Sequence, residues 1–203
     1  MPRISAALIP VLLLAACAPE GTRSDAGRAG TVVTSVGEAQ IGGPFTLVDD
    51  TGATVTEAAL LGQPSLIYFG FSYCPDVCPT ALAKLGRAQE LMGEAAREVQ
   101  FILITVDPER DTPEQLAVYV TNNGFPEGLR GFTGTPEQVG AALEAYKVYA
   151  RKASLDGSAA GYTMDHQDLV VMTGRDGKFV DIFTERATPQ EIAGRVRAYL
   201  ARG

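Results

Sequence analysis

The feature that most constrains this chain is the stretch Ser65-Leu-Ile-Tyr-Phe-Gly-Phe-Ser-Tyr-Cys74-Pro-Asp-Val-Cys78-Pro79. Its first half, after Pro64 and up to Gly70, is a continuous apolar run with aromatic and β-branched members. Unbroken apolarity, rather than alternation, predicts a central strand buried on both faces. Its second half carries two of the three cysteines of the chain. Beyond it, Leu82, Leu85 and Met92 recur on one helical face. Pro79 suits a first helical position, which predicts Cys78 at about the N-cap. Two thiols thus sit at a strand-to-helix turn, where the helix end favours thiolate. Thiolate is both a nucleophile and a soft-metal ligand.

The remaining segments predict an α/β domain. Phe45–Val48 and Ala53–Thr56 flank Asp49-Asp50-Thr51-Gly52, a hairpin pattern. Val99–Val106 is a second continuous apolar run, and a helix between two such runs makes a βαβ unit with a parallel pair. Thr112-Pro-Glu-Gln115, Thr135-Pro-Glu-Gln138 and Thr188-Pro-Gln-Glu191 each place Thr at the N-cap, Pro at N1 and Gln or Glu at N3, three capping boxes. Lys147–Arg151 reads as a short strand, and Ser154–Gly161 as a small-residue loop. Leu169–Met172 and Phe179–Phe183 around Gly174-Arg-Asp-Gly177 predict a terminal hairpin. Ile192, Val196 and Leu200 form the inner face of a last helix. The order is that of a thioredoxin-like fold with an N-terminal β-hairpin and an insertion before the C-terminal hairpin.

The N-terminus reads as an export signal. Arg3 precedes the apolar Ala6–Ala16, and Leu14-Ala-Ala-Cys17 resembles a bacterial lipoprotein box in which Cys17 becomes the lipidated N-terminus. A run of about 11 residues is too short to span a membrane. The expected division is a signal segment over 1–17, a flexible tether over 18–34 and a folded domain over 35–203. The mature protein is then exported, periplasm-facing and tethered to the membrane by lipid. Net charge is −7, and no Lys/Arg run stands out, so nothing favours nucleic acid.

With Cys17 assigned to lipid, Cys74 and Cys78 remain for a disulfide, a redox pair or a metal site. A structural disulfide is the weakest of these, since so small a loop gains little entropy from closure. Three residues separate the thiols, one more than in the usual oxidoreductase pair on this fold plan. The longer spacing can admit a metal and still permit a disulfide. The single histidine, His166, lies in Tyr162-Thr-Met-Asp-His-Gln-Asp168. In a thioredoxin-like plan the loop before the last hairpin packs beside the cysteine turn, so His166 can reach Cys74 and Cys78. Two sulfurs and one imidazole suit Cu(I), with Cu(II) and Zn(II) also accommodated. A structural zinc site wants four ligands, and here three strong ones exist. Asp76, Asp107 and Asp165 are candidates for weaker or supporting roles. Asp107–Thr112 reads either as a turn with an N-cap or as a rim of the site.

Gly70-Phe-Ser-Tyr-Cys-Pro-Asp-Val-Cys-Pro-Thr80, Val106-Asp-Pro-Glu-Arg-Asp-Thr112 and Asp165-His166 together resemble the Sco/SenC family of copper-binding proteins. The likeness runs from about Gly43 to Leu200. The resemblance implies a thioredoxin-like fold and copper bound by Cys74, Cys78 and His166. It implies delivery to, or maturation of, the dinuclear copper centre of cytochrome c oxidase subunit II, or to another copper-acceptor protein. A thiol–disulfide reductase that keeps the cysteines of that centre reduced is the alternative, resting on the redox pair Cys74 and Cys78. A peroxide-reducing enzyme and a copper or redox sensor are weaker readings of the same thiols. Many family members carry a transmembrane anchor, and the lipoprotein-like start here departs from that pattern.

Overall fold

The structure, a computed structural model, describes residues 40–157 and 160–202. The expected signal segment, tether and Cys17 lie outside the described residues. Strands β1 (Thr46–Asp49) and β2 (Thr54–Thr56) form the predicted hairpin, with Val48 opposite Thr54. After a 3-10 turn at Glu57–Leu60 comes β3 (Ser65–Gly70), buried at every residue. Helix α1 (Val77–Met92) leads to β4 (Gln100–Thr105), which pairs parallel with β3, Leu66 opposite Phe101. Then follow α2 (Pro113–Tyr119), β5 (Arg130–Thr133), α3 (Pro136–Ala145), β6 (Ala150–Ser154) and β7 (Tyr162–His166). The chain closes with β8 (Leu169–Thr173), β9 (Phe179–Thr184) and α4 (Pro189–Leu200).

One mixed sheet has the order β2-β1-β5-β4-β3-β8-β9, while among the described residues β6 and β7 pair only with each other in a separate two-stranded sheet. The central place of β3 follows from its composition. A strand with no polar face can be satisfied only between two partners and beneath helices. Its neighbours on the sheet are β4 and the antiparallel β8. Leu82, Leu85 and Met92 are buried, as their helical spacing predicts, and α1 packs beside α4.

Thr112, Thr135 and Thr188 cap their helices as expected. The reciprocal bond from N3 is complete at α3 and α4, but at α2 the Gln115 amide instead faces Ser72 Oγ at 3.5 Å. Two expectations shift. The strand predicted over Lys147–Arg151 begins at Ala150. Lys147, in the left-handed region at φ 58°, ends α3 in a Schellman turn, where its own N–H reaches Glu144 and that of Val148 reaches Leu143. His166 lies not in a loop but at the end of β7, opposite Ala150. The insertion expected before the last hairpin is therefore itself a hairpin.

Candidate metal centre

The cysteine turn grows from the end of β3. Gly70 is required there: a Cβ at that position would meet the Tyr68 ring at 2.5 Å and Cys78 Sγ at 3.1 Å. The turn is propped from below by Asp111, which is fully buried. Ser72 donates to it from its backbone N–H at 3.1 Å and from its hydroxyl at 2.5 Å, and the Thr105 hydroxyl donates at 2.6 Å. Burial pushes the Asp111 carboxyl up, against these donors, which pull it down.

Helix α1 begins at Val77, so Cys78 lies inside the first turn rather than at the N-cap. The N-cap is Asp76, whose side chain makes no capping bond. The Cys74 sulfur accepts the Cys78 N–H instead, at 3.3 Å. A cysteine side chain thus satisfies an orphan donor of the helix end, a task normally given to an oxygen. This electrostatic setting divides the two thiols. The bond from the Cys78 thiol, against some burial, with the Cys78 and Asp76 amides, holds the Cys74 thiol down at about 4. Cys78, fully buried, is pushed up, first by that same bond to the Cys74 sulfur and then by burial. The bond between them favours thiolate at Cys74 and thiol at Cys78.

His166 completes the arrangement from β7. Its Nε2 lies 3.7 Å from Cys78 Sγ, and its Nδ1 lies 3.0 Å from the Gln167 carbonyl oxygen. A carbonyl only accepts, so Nδ1 carries the proton and the Nε2 lone pair is turned toward the sulfurs. Phe71 packs edge-on against the imidazole with centroids 5.7 Å apart. Cys78 Sγ and His166 Nε2 are close enough that one ion could be held by both. The two sulfurs of Cys74 and Cys78 and the imidazole of His166 are donor types that suit a soft ion of low coordination number. Among the described residues no three His, Cys, Asp or Glu side chains already converge on one point. The proton on Cys78 must leave for Cys74, Cys78 and His166 all to be donors at once.

A cavity of about 270 Å3, lined by Cys74, Pro75, Met164 and His166 among others, opens beside these groups. A larger cleft of about 660 Å3, with Gln89, Arg97, Glu127 and Arg130 on its walls, lies at the other end of the parallel strands. It holds no thiol and no imidazole, so size does not mark the chemistry here.

The three aspartates singled out from sequence separate. Asp76 stands at the helix mouth, and exposed Asp165 faces Arg151 at 3.5 Å. Asp107, 1% exposed, is occupied by Arg110 and Tyr162. Sequence reasoning missed Tyr68, Arg110 and Tyr162. Tyr68 lies buried under Cys78, and burial and the sulfurs push its phenol up. Its tyrosine sits within an apolar strand, a polar atom amid Leu66, Ile67 and Phe69, and that was the available signal.

The SCO1/SenC family profile matches residues 33–201 of the chain. The chain is 40% identical over 167 residues to the protein SenC of Rhodobacter capsulatus, a match covering 82% of this chain and 74% of that one. It is 38% identical over 168 residues to the mitochondrial SCO1 homolog of Mus musculus, covering 82% of this chain and 58% of the mouse protein. Among solved structures it is similar to Bradyrhizobium japonicum ScoI with copper bound: 43% identity, TM-score 0.70, 78% of this chain and 99% of that one.

Proposed function

This chain belongs to the SCO1/SenC family, and from that premise we propose that it is a copper metallochaperone. It binds copper through Cys74, Cys78 and His166 and delivers it to, or helps mature, the dinuclear copper centre of cytochrome c oxidase subunit II. The observation that carries this reading is the 3.7 Å approach of the His166 Nε2 lone pair to Cys78 Sγ, beside a Cys74 favoured as thiolate.

Copper is cargo here, so the site must both hold and release it. The half-buried Cys74 thiolate is the accessible donor that meets the ion first. Cys78 then loses its proton and closes the pair, and the imidazole adds a harder nitrogen donor. Release runs in reverse: a donor on the acceptor takes the ion as Cys74 lets go, and the proton returns to Cys78. No lost charge is stranded in the core, because Cys78 regains its proton as the ion leaves.

Cu(I) titration with metal analysis tests the donor set. The wild-type protein should take up one copper, and Cys74→Ala and Cys78→Ala should lose stoichiometric binding. Undiminished binding in either variant would remove the site. His166→Ala should weaken Cu(II) binding more than Cu(I), because imidazole suits Cu(II) better.

The low Cys74 thiol also favours a second reading, a thiol–disulfide reductase of the acceptor's cysteines. Cys74 thiolate would attack the target disulfide, releasing one target thiolate. Cys78, giving up its proton, would attack the mixed disulfide, leaving Cys74–Cys78 oxidised and the target a dithiol. Turnover with a copper-free target that is indifferent to His166→Ala would favour this reading.

The export reading extends the proposal: Cys17 carries lipid and holds the domain on the periplasmic side of a membrane. No helix among the described residues is long and apolar enough to cross a membrane. Mass analysis of the mature N-terminus, with Cys17→Ser as the control, tests the anchor.

A further inference from the structure

The segment Val106–Thr112 is prominent in the sequence and unused by the donor set. Its polar groups reach across to the hairpin that carries His166. Arg110 Nε donates to Asp107 Oδ2 at 2.5 Å, and the Tyr162 hydroxyl donates to Asp107 Oδ1 at 2.9 Å. Arg110 Nη1 donates to the Tyr162 carbonyl oxygen at 3.2 Å. The guanidinium carbon lies 3.8 Å from the centroid of the Tyr162 ring, 4.8 Å from that of Tyr73 and 5.8 Å from that of Phe71. Its Nη2 is buried with no hydrogen-bond acceptor among the described residues. Outside this core, Lys152 of β6 bonds Glu109 at 2.6 Å and covers the Tyr162 ring at 4.2 Å.

The positions of the three rings give the contact its meaning. Tyr73 precedes Cys74. Phe71 packs against His166. Tyr162 opens the strand that His166 ends. One cation therefore touches both halves of the site, which no ladder of the main sheet joins, since among the described residues β6 and β7 pair only with each other.

We propose that Arg110, anchored by Asp107, is a positioning residue: a latch that holds the His166 strand against the cysteine turn and sets the reach of the imidazole. The inference deepens the copper reading and rests on it for the role of His166. Arginine suits the task because its planar, permanently charged head stacks on aromatic faces while still bonding a carboxylate. The sulfur half of the site belongs to the core and does not depend on the latch. The nitrogen half does. Loosening the latch should therefore cost the state that needs imidazole and spare the state that needs sulfur.

Arg110→Met is the test, with Tyr162→Phe as a milder variant that keeps the ring and removes its bond to Asp107. By analogy with groups that orient metal ligands, Arg110→Met should lose about tenfold to a hundredfold in Cu(II) affinity, with Cu(I) affinity within about threefold of wild type. The nitrogen signature in the Cu(II) paramagnetic resonance spectrum should move toward that of His166→Ala. Arg110→Lys, which keeps the charge and loses the planar stack, should restore the signal only in part. In the metal-free protein, amide exchange of Thr163, Met164 and Asp165 should accelerate about tenfold or more while Ile67 and Tyr68 stay as they were. A wild-type Cu(II) spectrum together with unchanged hairpin exchange in Arg110→Met would overturn the latch. So would equal acceleration in β3, which would make Arg110 a general stabiliser. If the wild-type protein takes up no copper, the donor assignment falls, and the metal-free exchange comparison still decides the latch by itself.

Discussion

The two halves of the site stand on different ground. Cys74 and Cys78 hang between β3, buried at every residue, and α1, whose inner face lies in the core. His166 ends a strand in a two-stranded sheet with no fully buried position. The first half is as firm as the domain itself. The second is attached by a handful of side chains, chiefly Arg110, Tyr162 and Lys152. On the proposed reading a carrier gains from that division, because a donor on a separately attached element can be withdrawn without unfolding anything.

The contrast should be plainest in stability. Phe69→Ala, in the middle of β3, should cost about 3–5 kcal/mol in denaturant unfolding, as large buried truncations do. Met164→Ala on β7 should cost about 1 kcal/mol. Similar values for the two would break the comparison.

Gly70→Ala probes where strand and sulfur meet. The added methyl group crowds Tyr68 and Cys78 Sγ and should cost about 1–3 kcal/mol. It should also move the thiolate absorbance of Cys74, because the Cys78 thiol that stabilises it must shift. An unchanged absorbance titration would detach the thiolate from this packing.

Proton linkage sharpens the sulfur half further. The folded Cys74 value of about 4 lies below its ordinary value of 9.0. Between those values the unfolded chain holds a proton that the folded chain does not, so folding strengthens as pH rises from about 4 to 9. The contribution is present above the ordinary value and is lost as pH falls through the folded one. Above about 9 the sign reverses, because Cys78 keeps its proton only when folded. Subtracting the Cys74→Ala stability curve from that of wild type should leave a difference that climbs across the lower interval. Alkylation by iodoacetamide near pH 6 should select Cys74, and equal labelling of both thiols would contradict the assignment of thiolate to Cys74.

The smallest effect is expected at the outer edge of the hairpin. Lys152 and Glu109 are about half exposed, and Lys152→Ala should change stability by no more than about 0.5 kcal/mol. A larger loss would mean that the hairpin depends on its rim more than on Arg110.

Much of the framework was legible in the chain because its signals are local. An apolar run of six residues has nowhere to go but the sheet centre. Thr-Pro-x-x sequences start helices through bonds spanning three residues. The shifts came where a residue serves a distant partner. Gln115 leaves its own N-cap to face Ser72, and Lys147, read as a strand residue, terminates α3. The short Tyr162–His166 run resembled a loop because only pairing with β6 makes it a strand.

By itself the sequence determined the α/β plan, the central strand, the capped helices and the placing of two thiols at a strand-to-helix turn. Each of these follows from steric and solvation preferences acting within a few residues. Only the tertiary structure decided that His166 turns its lone pair toward Cys78, that the bond between the two thiols favours thiolate at Cys74, and that Arg110 touches both halves of the site. Those depend on which groups become neighbours after folding. A charge, a proton and a coordination direction are properties of the surroundings, and the surroundings here are drawn from segments far apart along the chain.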